Sequence, residues 1–337
     1  MRYRGVGRVG SFALREALRF CALMVAVSMV TFALVAASPI DPVQANVGQQ
    51  ALLGMSAAKR AQLAAHWGAG TPLPERYALW AQGVLHGDWG ISLRYNAPVS
   101  QVVGERFAGS LALMATAWVL SGVVGIVLGI AAGRHRDGAV DRVIRGACIV
   151  LSSTPAFWLG IVALMVFSVA LGWFPLGFSA PMGAGAQSVT LLDRVHHLVL
   201  PALTLSVSGV AGVALHTREK VIDVLESDYV RFALARGESP RHVLSRHGLR
   251  NLVLPALTLQ LASVGEIFGG SVLVEQVFSY PGLGQAAVTA GLGGDAPLLV
   301  GIALGSAAFV FAGNALANVL YAVVDPRLGE GGRHGAR

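Results

Sequence analysis

Apolar runs of about 20 residues or more alternate along this chain with polar stretches. They fall near 17–37, 108–133, 146–172, 197–216, 251–273 and 296–321. About 20 apolar residues in a helix cross the hydrocarbon core of a bilayer, and a helix satisfies its backbone hydrogen bonds there without water. The pattern predicts an all-α integral membrane protein with six transmembrane helices. Glycines recur at four-residue intervals in three runs: Gly125, Gly129 and Gly133 in the second, Gly265 and Gly269 in the fifth, and Gly301 and Gly305 in the sixth. Ridges of small residues at this spacing let helices approach closely, so tight packing is their expected use. The first run follows a basic tail, as a secretory leader would. It is longer than the 7–15 residues of a leader's apolar core, so an uncleaved first helix is expected.

Between the fourth and fifth runs the pattern changes. Val221, Ile222, Val224 and Leu225 recur at helical spacing, and Phe232 and Ala235 extend the same stripe. Gly237 stands where such a helix would end, as a residue that tolerates positive φ. Ser239–Pro240 follows at once, an N-cap with proline in the first helical position. A second helix would carry Val243, Leu244 and Leu252 on one side and Arg246 and Arg250 on another. Helix, abrupt turn, helix predicts a compact knob. The small Ala233 and Ala235 would let a partner's backbone come close to its turn. An ordinary solvated loop carrying basic charge is the other reading of these residues.

Composition supports the membrane assignment. Of 337 residues, 54% are hydrophobic and 13% charged, against about a quarter charged in soluble domains. The formal charge of +7 and the pI near 10 would suggest nucleic acid in a soluble protein. Here the basic residues follow topology. The tail to residue 19, the loops 134–145 and 217–250 and the tail from 322 hold 19 Lys and Arg, and the alternate segments hold 6. Five of those 6 lie in the long segment 38–107, and long loops cross regardless of charge. Both termini and the knob are therefore expected in the cytoplasm, and no nucleic-acid partner is expected.

Enzyme signatures do not survive inspection. The two lysines, Lys59 and Lys220, lie in no phosphate-binding loop. A glycine triplet at Gly5, Gly7 and Gly10 precedes a membrane helix and follows no strand, so it is not a nucleotide fingerprint. Cys21 and Cys148 have no ligand spacing and are expected as small core hydrophobes. His196 and His197 open the fourth run, where an interfacial role suits them better than a metal. Neither a metal site nor a cofactor bound by this chain is expected. Inside the spans, Glu266 suits either the lining of a translocation path or an interhelical hydrogen bond. Asn314 and Asn318, one turn apart, suit helix packing or the same path.

The residues of the knob are recognisable. Ala233–Leu–Ala–Arg–Gly237, with Leu254–Pro255 downstream, resembles the EAA loop of ABC-importer permeases of the dipeptide, oligopeptide and nickel family. SPIDP (38–42), PERYALWAQGVLHGDWGISLRYNAPV (74–99), TPAFWLG (154–160), LGWFPLG (171–177), HLVLPALTL (197–205), VLVEQVFSYPGLG (272–284) and DPRL (325–328) resemble that family's other signatures, in order along almost the whole chain. The long first outer loop is similar to that of its B-type permeases. Phe232 and Leu234 stand where threonine and arginine are usual, Arg236 replaces a lysine, and Ile40 takes the place of a glycine.

The resemblance implies a type I ABC importer transmembrane fold. It implies a second permease subunit, a homologous C-type chain, two cytoplasmic ATPases carrying ATP and Mg, and an extracytoplasmic substrate-binding protein. In the lipid bilayer of the inner membrane, the two permeases would form the pathway. The coupling residues would be Tyr229, Ala233, Ala235, Arg236, Gly237, Ser239 and Pro240. The chain would divide into an N-terminal region (1–104), a five-helix core (105–325) with the coupling loop at about 217–250, and a cytoplasmic tail (326–337). Small peptides are the expected cargo, with a nickel chelate as the alternative. An ion-coupled secondary transporter is the competing class, with one intramembrane carboxylate and no visible repeat to support it.

Overall fold

A computed structural model describes residues 3–38, 54–59, 72–181, 183, 188–238, 256, 259–261 and 263–324. Among these residues the chain is helical, with a single isolated bridge between Ile91 and Pro98. The helices are α1 (Tyr3–Ala36), α2 (Leu73–Leu85), α3 (Val99–Arg134), α4 (Ala139–Ser152), α5 (Ala156–Ala163), α6 (Leu191–Leu225), α7 (Asp228–Ala235), α8 (Val264–Val277), α9 (Leu283–Leu292) and α10 (Ala296–Val324), and a π-helix (Leu164–Ala170) continues α5. Among the described residues four helices are long and apolar enough to cross a membrane, or five if α4 with α5 and the π-helix counts as one bent span. The start of the fifth run, 251–255, lies outside the described residues; its helix α8 continues past the expected end at 273 to Val277.

Several helices outrun their apolar segments. With 36 residues, α3 extends about 54 Å at 1.5 Å per residue, well beyond a hydrocarbon core of about 30 Å. An apolar run marks only the part of a helix in lipid. Hydrogen bonding continues into water wherever no breaker intervenes.

Two compact units share the chain, Met1–Ala108 with Gly282–Ala312, and Gly109–Pro281 with Gly313–Arg337. The N-terminal region thus groups with α9 and the first half of α10, which the sequence assigned to the core.

In the first unit, Phe32 of α1, Val300 and Leu304 of α10 and the rings of Tyr77 and Trp80 pack together. A second cluster joins Val99 and Val102 to Leu283, Ala286, Leu298 and Ile302. A Cβ built on Gly301 would stand 2.5 Å from Val99 Cγ1, so the sixth run's glycine admits α3 here. Asp295 is fully buried and caps α10, accepting the Leu298 amide at 3.2 Å. It also accepts the Ser92 hydroxyl at 2.6 Å and the Arg94 amide at 3.1 Å, which ties the 88–98 loop to the helix start.

In the second unit, α6 lies along the glycine ridge of α3. Cβ atoms built on Gly125, Gly129 and Gly133 would come within 2.7, 2.5 and 2.6 Å of the Cβ atoms of Val213, Thr217 and Val221. Both numberings rise together, so the two helices run parallel. Among the described residues a Cβ at Gly265 or Gly269 meets nothing within 4 Å, unlike the ridge of α3. Cys148 of α4 is buried against Ala211 and Ala214 of α6, as expected, whereas Cys21 is exposed on α1, a helix too apolar all round for sequence to give it an inner face.

The third span breaks at residues 153–155 and turns by 105°. Ser153 and Thr154 donate their hydroxyls to the carbonyls of Ile149 and Val150, four residues back, and Pro155 cannot continue the ladder. Beyond it, Gly177 (φ +151) passes so close to the Phe278 carbonyl that a Cβ would lie 2.1 Å from the oxygen. His196 and His197 hold the loop after the π-helix through the carbonyls of Trp173 and Gly177, at 2.9 and 2.7 Å.

Candidate functional site

The fourth apolar run ends near 216, but α6 continues to Leu225 before Glu226 and Ser227 interrupt it. α7 starts at Asp228, whose carboxylate favours the positive end of the new helix dipole. Eight residues are too few for an isolated helix to persist in water, so α7 depends on packing. Val230 and Ala233 supply it, buried at 1% and 7% exposure against Val221 and Val224, with Leu225 and Ile130 alongside. The opposite side presents Tyr229, Phe232, Ala235 and Arg236, with Phe232 66% exposed and the Arg236 guanidinium over its ring at 5.9 Å.

This arrangement corrects the sequence reading. The stripe of 221–225 is not continued by Phe232 and Ala235, because the break at Glu226–Ser227 resets the helical phase and hands it to Val230 and Ala233. Of the two alanines expected beside a partner, Ala235 faces outward and Ala233 packs inward.

The stop at Gly237 is formed by three bonds. The Arg236 amide donates to the carbonyls of Phe232 and Ala233, both at 3.2 Å, and the Glu238 amide reaches back to the Ala233 carbonyl at 3.2 Å. That six-to-one closure with Gly237 at φ +87 is a Schellman turn. Ser239 and Pro240 lie outside the described residues.

Next to α7, the end of α6 is fixed by a buried ion pair. Arg218 Nε and Nη2 donate to Asp141 Oδ1 and Oδ2 at 2.5 and 2.7 Å, with the carboxylate fully buried and the arginine 8% exposed. The Asp137 amide adds 2.9 Å to Oδ2, and Glu219 takes a further arginine nitrogen at 2.6 Å. Both partners lie outside the apolar runs at 146–172 and 197–216, in the parts of α4 and α6 that extend beyond them. The Arg218 guanidinium, bonded directly to the carboxylate, outweighs burial and lowers Asp141 to about 2. An open groove beside the pair is lined by Gly133, Arg134, His135 and Arg136 facing Ile222, Leu225 and Glu226. Arg136 bridges it to Glu226.

The candidate pathway residues lie elsewhere. Glu266 is exposed in the first turn of α8, and Asn314 is exposed on α10. Asn318 follows one turn later in the same helix. A Cβ built on Gly313, beside Asn314, would stand 3.1 Å from Val264 Cγ1, two residues before Glu266. Sequence reasoning passed over a second carboxylate in the same helix: Glu275 is fully buried and accepts the Ser110 hydroxyl at 2.6 Å. It stands within a stretch already quoted, VLVEQVFSY, and its unsupported charge amid apolar neighbours was the available signal.

The described residues define a multi-span helical membrane protein in which α7 packs one face on α6 and leaves the other exposed. Residues 125–330 match the model for binding-protein-dependent transport system inner membrane components. The chain is 33% identical over 321 residues to the oligopeptide transport system permease protein AppB of Bacillus subtilis, covering 95% of this chain and 99% of that one. It is 32% identical over 335 residues to the dipeptide transport system permease protein DppB of Escherichia coli, covering 94% and 98%. The chain belongs to the family of binding-protein-dependent transport system inner membrane components. The family resemblance and the all-helical class read from the sequence both hold.

Proposed function

We propose that this chain is the permease subunit of an ATP-driven importer that moves small peptides across the inner membrane. The observation that carries the reading is α7: one face buried on the end of α6, the other offering Tyr229, Phe232, Ala235 and Arg236, and a glycine turn fixing its end. The names of the relatives, oligopeptide and dipeptide permeases matched over nearly their whole length, supply the cargo class. Basic residues concentrated in the loop of α7 support a cytoplasmic position for that helix and both termini.

In this reading two cytoplasmic ATPases, carrying ATP and Mg, receive α7 in a groove. A second, homologous permease completes the pathway, and an extracytoplasmic binding protein delivers the peptide. Closure of the ATPases favours one of two orientations of the spans, because α7 binds them differently in each. Glu266, Asn314 and Asn318 border the path. Ser239 and Pro240 belong to the same coupling segment. Uptake of labelled dipeptide in cells lacking this gene, with and without the intact chain restored, tests the proposal. Uptake should fall and return; unchanged uptake in the deletion strain refutes it.

A further inference from the structure

The coupling helix has to move the transmembrane spans, and the route by which a push on α7 reaches the third span is visible at Asp141 and Arg218. Val230 and Ala233 fasten α7 to Val221 and Val224, so displacement of α7 displaces the end of α6. Arg218 lies one turn before Val221 on that helix. Its two nitrogens grip both oxygens of Asp141 in the first turn of α4. Apolar contacts between helices can slide, but a bidentate guanidinium–carboxylate fork fixes distance and plane together. Burial strengthens the constraint, because separating the pair would leave a charge without water or partner. The Asp137 amide and the left-handed Asp137 backbone (φ +59) lock the carboxylate to the start of α4. Facing charges are Glu219 on α6 and Arg145 on α4, one of each sign, so neither partner is drawn away.

We infer that the Asp141–Arg218 pair is the positioning joint that makes the third span follow the coupling helix. This inference rests on the importer reading. Without the fork, α7 still meets the ATPase and the nucleotide cycle still turns, while α4 lags behind α6 and fewer peptides cross per ATP.

The test uses the whole transporter in proteoliposomes, measuring ATP hydrolysis and labelled-dipeptide uptake on the same vesicles. Asp141→Asn keeps shape and removes charge. Arg218→Lys keeps charge and removes the fork. For both, uptake per ATP should fall about tenfold, within the usual range of coupling energies, with hydrolysis within about twofold of the parent. A parallel fall of hydrolysis and uptake, in step with the amount of assembled complex, would overturn the inference in favour of a merely structural pair. So would an unchanged ratio. If the single variants do not assemble, the apolar pair Asp141→Leu with Arg218→Met restores packing without the fork. That double variant should hydrolyse ATP and transport poorly; a parental ratio would overturn the joint. Absence of ATP-dependent uptake by the parent chain would sink the importer reading instead, which keeps the two failures apart.

Discussion

Replacing Gly237 by alanine isolates the turn that ends α7. Among the described residues a Cβ at this position meets nothing within 4 Å, so none of them clashes. What remains is the backbone: φ is +87, and an L-residue held in the left-handed region loses about 1–2 kcal/mol relative to glycine. With about 1.4 kcal/mol per tenfold change, the closed turn should become roughly tenfold less populated relative to its frayed form. Asparagine tolerates the left-handed region better than other side chains, so Gly237→Asn should recover part of the loss. Hydrogen exchange read by mass spectrometry on the assembled transporter reports the turn directly, since the Arg236 and Glu238 amides donate to the Phe232 and Ala233 carbonyls that close it. Faster exchange at these amides in Gly237→Ala, intermediate in Gly237→Asn and confined to this turn, is the expected result. Equal exchange in all three proteins, or asparagine worse than alanine, would refute the assignment of the turn's stability to positive φ.

Three further outcomes follow from the packing. Gly129→Ala should destabilise the purified protein by about 1–3 kcal/mol through overpacking, because its Cβ would lie 2.5 Å from Thr217. Gly146→Ala, with open space around it, should instead stabilise α4 by about 0.5–1 kcal/mol, and thermal unfolding in detergent separates the two. Phe232→Asp should leave the melting temperature of the isolated chain within the small range of surface substitutions while reducing co-purification of the ATPase; Ala233→Asp, at a buried position, should cost about 1–3 kcal/mol of stability. Because Asp141 is lowered from 3.8 to about 2, its contribution is complete above about pH 4 and disappears as the pH falls toward 2. Acid titration of unfolding should show that loss in the parent protein and a smaller one in Asp141→Asn.

Hydropathy was enough to find the four long apolar helices and the bent pair of α4 and α5, because lipid demands a long apolar segment; the fifth run lies partly outside the described residues. Gly237 was legible for a similar reason: a glycine directly after a helical stripe and before Ser-Pro has few other uses. Asp295 could have been read as well, since it stands just before Ala296–Pro297, where a helix start needs an N-cap. The inward side of α7 was not legible. A two-residue interruption at 226–227 rotates everything after it, and no local pattern announces by how much. Arg218 was counted only as a loop charge and Asp141 was not singled out, since 77 residues separate them and only the packing of α4 on α6 brings them together. In Gly265 and Gly269 the same four-residue spacing that packs α3 on α6 leaves open space, so small-residue spacing marks a permitted approach without naming the neighbour.

The glycine ladder between α3 and α6 also limits where a solute can travel. From Gly125 to Gly133 the two backbones stay so near that not one added methyl fits without displacement at three successive turns, a length of about 12 Å at 1.5 Å per residue. A crevice that refuses a methyl refuses a water molecule, and far more so a peptide with its hydration shell. As the two helices pack here, this seam leaves no passage between them.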